Sequence, residues 1–275
     1  MKKPFVKGAA ILVIAVLFLF ASVSESFALR LTAKRIIFEG KKRAEDIVII
    51  NKSEKAETYR VGWRPMKMMP DGSLEPDKSK AGYENDPYDV SNMIKFAPRR
   101  FTIPPNGSQQ LRIMLRLPAD LPDGEYRNHL FIDTENLGNT LEENQKRGVT
   151  LIPKPGATIP IFVRKGDLSY KITVNSVEAK SDGNDILFTY SLTREGNRGL
   201  YLRTELICNA NSAASYPLKS IKGMGFYTDQ TVRSQVLRIP KIQGRPACQT
   251  VKARFYEDGK EDNKLLSEQT ATVYN

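Results

Sequence analysis

The 275-residue sequence has few of the residues on which metal sites and catalytic sites most often depend. It contains a single histidine, His129, and two cysteines. One histidine cannot supply a metal site built from several histidines, or a pair of catalytic imidazoles. Because His129 stands alone in the strand-like segment GEYRNHLFID, we interpret it as a structural residue and predict no metal site.

Motifs of catalysis and nucleotide binding are also missing. No Gly-x-Ser-x-Gly elbow, P-loop or Gly-x-Gly-x-x-Gly follows a strand-like segment. The acidic residues Glu142, Glu143, Asp258, Glu261 and Asp262 lie in loop-like runs, where a solvated surface explains them better than a glycosidase carboxylate pair. We predict a protein that is not an enzyme, with no catalytic residue and no cofactor.

The chain is basic, with 42 Lys+Arg against 31 Asp+Glu and a net charge of +11. Such a charge is compatible with nucleic acid, an anionic membrane or an acidic partner. The basic residues are spread through strand-like segments, however, and no Lys/Arg block with interleaved aromatics occurs. We therefore predict no nucleic-acid binding.

The first 28 residues have the layout of a secretory signal peptide. Lys2, Lys3 and Lys7 precede an apolar run over 9–21, and Ser-Phe-Ala closes the segment at 26–28. The run is shorter than the roughly 20 residues that span a bilayer, and no second run of that length follows. We predict cleavage after residue 28 and no stable membrane insertion afterwards, with an uncleaved anchor as the alternative.

The two cysteines, Cys208 and Cys248, both lie in the second half of the chain. In an oxidising compartment, a single pair 40 residues apart indicates a disulfide. Two separate buried thiols are the alternative. A redox role is disfavoured because nothing resembles a Cys-x-x-Cys motif.

Short segments rich in Val, Ile, Thr, Tyr and Phe alternate with Gly, Pro, Asn and Asp turns, without long helical periodicity. About seven such segments in the first half fit an immunoglobulin-like sandwich, and a second series follows the connection at 164–167. We predict an all-β protein with two immunoglobulin-like β-sandwich domains, 29–165 and 166–275. The short connection predicts a fixed angle and a cleft between them.

Two local features of the first half carry separate predictions. The polar stretch from Pro65 to Lys95 is either an elaborated loop with a short strand pair or a partner-facing surface, and the loop is favoured. Tyr126, two residues after Gly124, is predicted to form a tyrosine corner.

The segment GVTLIPKPGATIPIFVRKG, residues 148–166, has an apolar period of two. The apolar positions are Val149, Leu151, Pro153, Pro155, Ala157, Ile159, Ile161 and Val163. In an extended strand these side chains share one face, although the prolines prevent uninterrupted backbone pairing. An unpaired apolar edge invites aggregation, so the pattern favours a purposeful pairing surface. An ordinary last strand of a sandwich is the alternative, and it explains Ile159 to Val163 better than Val149 to Leu151.

Four segments in this order resemble the PapD-like periplasmic chaperones of chaperone-usher pili. They are TAKRIIFEGKKRAEDIVIINKS, APRRFTIPPNGSQQLRIML, DGEYRNHLF and ATIPIFVRKG, and DGEYRNHLF is most similar to the archaic or alternative branch. The resemblance implies an L-shaped pair of immunoglobulin-like domains in the periplasm. It also implies capture of pilus or fimbrial subunits by donor-strand pairing, and their delivery to an outer-membrane usher.

The resemblance further implies a donor strand and an anchor for the subunit's C-terminal carboxylate. The donor residues would be Val149, Leu151, Ala157, Ile159 and Ile161, with the stretch from Val149 to Ala157 favoured for donation and Ile159 to Val163 for the domain itself. The family's early-strand arginine falls on Arg35, and its final-strand lysine falls near Pro160, which cannot bind a carboxylate. Arg127 and Arg112 are the predicted substitutes. An ordinary strand arginine is the alternative for all three.

A structural pilus or surface-fibre subunit is the alternative function. Its cue is the penultimate Tyr274, since pilin subunits often end in a strand with a penultimate tyrosine. Against it, strand-like sequence begins at Leu29 without a donor extension, and neither strand series lacks an evident strand.

Overall fold

The computed structural model describes residues 29–78, 86–135, 156–259 and 264–275. Every regular element in those ranges is a β-strand, which confirms the predicted all-β class. No stretch of helix within them has the length and apolar character needed to span a bilayer. The predicted signal peptide at 1–28 lies outside the described residues.

The first eleven strands of the described ranges give the N-terminal sandwich of nine strands and a separate two-stranded hairpin. They are β1 (Leu29–Leu31), β2 (Ile36–Phe38), β3 (Ala44–Asn51), β4 (Glu57–Trp63), β5 (Met66–Met68), β6 (Leu74–Pro76), β7 (Ile94–Ala97), β8 (Arg100–Ile103), β9 (Ser108–Leu115), β10 (Gly124–Thr134) and β11 (Gly156–Lys165), of which β5 and β6 form the hairpin.

Two sheets enclose the core of this sandwich, with strand orders β1-β3-β9-β7 and β2-β11-β10-β4-β8. The alternation in β9 shows why its residues form a strand at this place. Leu111 and Ile113 are fully buried, whereas Arg112 and Met114 between and after them face outward. Similar alternation in the facing sheet places Leu130 and Ile132 of β10 in the same core.

The C-terminal sandwich follows. Its strands are β12 (Lys171–Asp182), β13 (Asp185–Glu195), β14 (Leu200–Cys208), β15 (Tyr216–Phe226), β16 (Val232–Pro240), β17 (Thr250–Glu257) and β18 (Leu265–Tyr274), paired in the order β15-β14-β17-β18-β12-β13-β16. The ring of Tyr190 on β13 meets that of Phe255 on β17 at 5.3 Å inside the core. This core shares no residue with the first, so the described residues form two β-sandwiches, as predicted. The L-shape and the limits at 165/166 stay predictions.

Cys208 and Cys248 form the predicted disulfide, with a Cα–Cα distance of 5.5 Å. Cys208 is fully buried at the end of β14, where it pairs with Val251 of β17. The bond ties β14 to the segment that leads into β17. It therefore closes one end of the C-terminal core.

Tyr126 forms the predicted tyrosine corner. It is buried at the start of β10, and its hydroxyl donates a hydrogen bond to the Pro122 carbonyl at 2.8 Å. The bond fixes the turn before β10 to the N-terminal core. It thereby fixes the strand whose outer face carries Arg127 and His129.

A buried ion pair joins the two sandwiches. Arg164 Nε donates to the Glu125 carboxylate at 2.9 Å, and these side chains are 5% and 1% exposed. Both also bond the main chain of Gly199, just before β14. The Gly199 N–H donates to Glu125 at 3.0 Å, and Arg164 donates to the Gly199 carbonyl at 3.0 Å. Because each buried charge is paired and further hydrogen-bonded, the joint is compatible with burial.

The stretch between Pro65 and Lys95 contains the short strand pair that the sequence predicts. Strands β5 and β6 form a hairpin that contacts the C-terminal sandwich. Gln230 Nε2 donates to the Met68 carbonyl at 2.7 Å, and the Ser234 N–H donates to the Pro70 carbonyl at 2.8 Å. The hairpin is therefore a second connection between the sandwiches.

Candidate binding cleft between the sandwiches

Strand β11 is paired along only part of one side. Strand β10 accompanies it from Gly156 to Lys165, but on the other side β2 pairs in parallel with Ile161 to Val163 alone. Within the described ranges, no strand pairs with 156–160 on that side. This unpaired edge is exposed at Gly156 and half-buried at Ala157 and Thr158, and it becomes buried towards Pro160.

Pro160 fits in the middle of β11 because of the direction in which its nitrogen faces. Its partner on β10 is His129, whose carbonyl accepts a hydrogen bond from the Arg64 N–H of the other neighbouring chain segment at 2.8 Å. The main-chain N–H and C=O of His129 therefore face away from β11, which makes His129–Pro160 a non-hydrogen-bonded pair. In such a pair the main-chain nitrogen of Pro160 also points away from β10, towards the unpaired edge. A proline there removes no ladder bond with β10.

The predicted donor residues divide into three groups. Ile159 and Ile161 are 4% and 0% exposed and pack in the N-terminal core, so their side chains are not available for donation and that part of the prediction is not kept. Ala157 is half-buried opposite Ile132. Val149 and Leu151 lie outside the described residues.

Arg35 lies immediately before β2, one register position beyond the Ile36–Ile161 pair and therefore next to Pro160. Its guanidinium stacks on the ring of Tyr201, with Cζ 4.0 Å from the ring centroid. Its one hydrogen bond in the described ranges goes to the Asp258 carbonyl at 3.4 Å. The resemblance thus selects an arginine that lies at the end of the unpaired edge.

A cleft of about 520 Å³ surrounds Arg35. Its charged lining residues are Arg35, Lys42, Arg164, Arg198, Glu39, Glu45, Glu257 and Asp258. Three of the cations have carboxylate partners, in the pairs Lys42–Glu45 (2.6 Å), Arg164–Glu39 (3.4 Å) and Arg198–Glu257 (2.8 Å). Among the described residues, Arg35 is the cation of this cleft that has no carboxylate partner.

Arg127 lies on the other side of the interface and is already paired. Its two terminal nitrogens donate to the Asp229 carboxylate at 3.3 and 2.8 Å, and its Cζ lies 4.2 Å from the Tyr227 ring centroid. Asp229 also accepts from the Met68 N–H at 3.0 Å. The cleft of about 580 Å³ beside Arg127 is acidic, because its lining has five carboxylates and two cations, namely Asp77, Asp86, Asp123, Glu125, Asp229, Lys67 and Arg127. An incoming carboxylate is disfavoured there.

Arg112 lies apart from the other two predicted anchors. It belongs to β9 in the other sheet, where its exposed guanidinium is 3.5 Å from Asp46. The structure brings Arg35 and Arg127 to one interface and does not add Arg112 to it. Its position favours the alternative of an ordinary strand arginine.

His129 is buried at the same interface, 1% exposed and with its ring 6.1 Å from that of Tyr227. Neither ring nitrogen has a hydrogen-bond partner among the residues that the structure describes. Burial, with a smaller contribution from Arg127, lowers the pKa of His129 to about 3, so the imidazole is neutral at physiological pH. It therefore cannot act as a cationic anchor there.

Sequence reasoning missed the aromatic residues that connect these arginines. Tyr201 and Tyr227 share a hydrogen bond between their hydroxyls at 2.8 Å, and Phe162 packs edge-on against both rings. One signal was present, since Leu200 and Leu202 face the core and the tyrosine between them must face outward. The C-terminal sandwich thereby contributes the platforms on which both arginines rest.

No protein-family model matches the chain. No curated protein matches it either. Similar solved structures include the Escherichia coli chaperone DraB, at 14% identity and a TM-score of 0.42, covering 90% of this chain and 97% of that chain. The Pseudomonas aeruginosa CupB2 chaperone is 14% identical, with a TM-score of 0.40 and coverages of 88% and 97%. A structure of the Salmonella enterica SafA pilin in complex with the SafB chaperone is 13% identical, with a TM-score of 0.43, and the match covers 91% of this chain and 98% of that chain. At such identities and TM-scores the likeness does not assign a ligand.

Proposed function

We propose that this chain is a periplasmic chaperone that captures pilus or fimbrial subunits by donor-strand pairing and delivers them to an outer-membrane usher. The resemblance to the PapD-like family, and to its archaic or alternative branch, is part of this proposal. One observation carries it: the unpaired edge 156–160 of β11 ends beside Arg35, for which the described residues supply no carboxylate partner.

The polarity of a captured strand follows from this geometry. Strand β2 occupies the edge of β11 from Ile161 onward, so an added strand along 156–160 must end where β2 begins. A strand parallel to β11 would bring its C-terminal carboxylate to Arg35, whereas an antiparallel strand would bring its N-terminal amine. Arginine binds carboxylates with directional, charge-assisted hydrogen bonds and repels an amine, so the parallel orientation is favoured.

Main-chain hydrogen bonds along this edge would give affinity that is independent of the subunit's sequence. Five residues of edge correspond to about 16 Å of strand. Val149 and Leu151, which have the same parity as Ala157, would extend the apolar row if the strand continued towards the chain's N-terminus. Each large side chain buried in a subunit groove would contribute roughly 1.5–3 kcal/mol in gross terms.

The predicted signal peptide at 1–28 and the division into domains 29–165 and 166–275 belong to the same proposal. The two separate cores support the division, and the Glu125–Arg164 contacts with Gly199 support a fixed joint. An anchor at Arg35 requires such a joint, because Tyr201 comes from the other sandwich.

Co-expression of the full chain with a fimbrial subunit, followed by pull-down, tests the proposal. We expect a one-to-one complex that Arg35→Glu weakens at least tenfold, by analogy with the loss of a hydrogen-bonded charge pair. Arg112→Glu is the matched control, because it reverses an exposed strand arginine in the other sheet and is expected to leave capture unchanged. Equal capture by both variants would remove Arg35 from the anchor. Long homopolymers without any partner would favour the fibre-subunit alternative.

A further inference from the structure

Tyr201 and Tyr227 form one aromatic bridge between the two arginines of the interface. Their rings are 5.9 Å apart and nearly perpendicular, and their hydroxyls share a hydrogen bond. Arg35 covers the Tyr201 ring at 4.0 Å, and Arg127 covers the Tyr227 ring at 4.2 Å. Phe162 of β11 packs against both rings from the N-terminal sandwich.

The two ends of this bridge differ in one respect. At the Tyr227 end, Asp229 accepts two hydrogen bonds from Arg127 and neutralises it. At the Tyr201 end, no carboxylate of the described residues forms an ion pair with Arg35, which has only a long hydrogen bond to the Asp258 carbonyl. Arginine therefore stacks on tyrosine at both ends, but among the described residues only Arg127 has a paired carboxylate.

Stacking and carboxylate binding use different parts of a guanidinium. The ring takes one face of the planar group, while the N–H donors point outward in its plane. A stacked arginine therefore keeps its donors available, and it has already lost much of the side-chain freedom that binding would otherwise restrict. The phenol itself stays neutral, because burial and the neighbouring Tyr227 raise the pKa of Tyr201.

We propose that Tyr201 is the positioning residue of the anchor, which holds the Arg35 guanidinium so that one arginine suffices to bind a subunit's terminal carboxylate. The inference rests on the proposed function. It accounts for an anchor in which Pro160 stands where the resemblance places a lysine. The arrangement Arg127–Tyr227–Asp229 shows the occupied form of the same geometry within this chain.

The test measures discrimination between a carboxylate and an amide rather than affinity alone. N-acetylated hexapeptides of alternating apolar and polar residues are made in pairs, with a free C-terminal carboxylate and with a C-terminal amide. Binding of each pair to the full chain is measured for wild type, Arg35→Gln, Tyr201→Leu and Tyr201→Phe. Thermal unfolding of each variant is recorded alongside.

We expect wild type to prefer the carboxylate peptide by about tenfold, and Arg35→Gln to abolish that preference. Tyr201→Leu should remove most of it, whereas Tyr201→Phe, which keeps the ring, should retain it. A general packing defect would weaken both peptides of a pair equally and would leave their ratio unchanged, which would overturn the inference.

The remaining outcomes distinguish a failure of the role inferred for Tyr201 from a failure of the proposed anchor at Arg35. Loss of preference in Arg35→Gln with full preference in Tyr201→Leu would overturn the positioning role and leave the anchor in place. An equal loss of the carboxylate preference in Tyr201→Phe and Tyr201→Leu would assign the effect to the hydroxyl and would overturn the inference that the ring positions Arg35. Full preference in Arg35→Gln would overturn the anchor and the inference together. Should Tyr201→Leu not fold, the hydroxyl-free Tyr201→Phe and the NMR signal of the Arg35 Nε–H decide the question, since stacking on the ring must shift that signal upfield.

Discussion

Asp229 and Arg127 form an ion pair with two hydrogen bonds across the boundary between the sandwiches, although 102 positions separate them in the chain. Asp229 also accepts the Met68 N–H, so one carboxylate ties β10, the β5–β6 hairpin and the C-terminal sandwich together. This relationship gives Arg127 a structural partner within the chain. It leaves Arg35 as the better candidate for an external anion.

Replacing Asp229 by asparagine should loosen this contact. The side chains of Arg127 and Asp229 are 13% and 28% exposed, so we expect a loss of about 1–2 kcal/mol in the free energy of unfolding, measured with urea. Asp182→Asn is the control, because its partner Arg238 is 59% exposed and such pairs contribute little. An equal change in the free energy of unfolding of Asp229→Asn and Asp182→Asn would contradict a stabilising role for the Arg127–Asp229 pair. Stronger subunit capture by Asp229→Asn would instead show that Arg127, once released, can bind a carboxylate.

A methyl group at Gly199 should disturb the joint between the sandwiches. A Cβ there would lie 2.6 Å from the Glu125 carboxylate and 3.2 Å from the Phe226 carbonyl oxygen. Gly199→Ala must therefore displace the Glu125–Arg164 pair or the backbone, and overpacking of this kind costs roughly 1–3 kcal/mol. Gly124→Ala is the control, since its nearest neighbour would be a Tyr126 ring carbon at an ordinary 3.8 Å. Equal thermal midpoints for the two variants would show that the joint tolerates the methyl.

Local patterns predicted the strands and the disulfide because each depends on neighbouring residues or on a single possible pair. The alternation of β9 and β13 follows directly from the period of two, and two cysteines allow one pairing. The same period could not say whether Ile159 and Ile161 face their own core or a partner. Both arrangements place alternate apolar residues on one face of a strand.

The binding cleft was less accessible to sequence reasoning, because its parts come from distant segments. Arg35 was identified through a family resemblance, but Tyr201, Tyr227 and Asp229 acquire their roles only when the two sandwiches meet. No local pattern distinguishes an arginine that stacks on a tyrosine of the other sandwich from one that faces solvent, such as Arg112. The sequence predicted a short strand pair between Pro65 and Lys95, but it did not predict that the β5–β6 hairpin packs against the C-terminal sandwich.

His129 should make the stability of the protein depend on pH. Its pKa is about 3 in the folded protein and about 6.5 when unfolded, so the folded state favours the neutral ring. Its contribution is fully present above pH 6.5 and is lost progressively as the pH falls towards 3. Between pH 7.5 and pH 5, wild type should therefore lose about 2 kcal/mol more than His129→Phe in urea unfolding. Because His129 is the chain's one histidine, parallel pH profiles would contradict this explanation.

The unpaired edge of β11 can be tested with a proline that acts on that edge alone. Thr158 has the same parity as Pro160, so its N–H faces away from β10, and Thr158→Pro removes a donor only from the unpaired side. We expect capture of a co-expressed subunit to fall by about tenfold, because one main-chain bond is lost and the ring occupies the approach of an added strand. Stability should change little.

Two further variants separate this effect from its side consequences. Thr158→Val removes the hydroxyl that accepts a bond from Arg64 at 3.0 Å while it keeps the N–H, so it should capture like wild type. Ile159→Pro removes an N–H that faces β10 and leaves a buried ladder carbonyl without its partner, so it should lower the free energy of unfolding by about 1–3 kcal/mol. Unimpaired capture by Thr158→Pro would mean that the subunit does not pair with this edge, whatever Arg35 contributes.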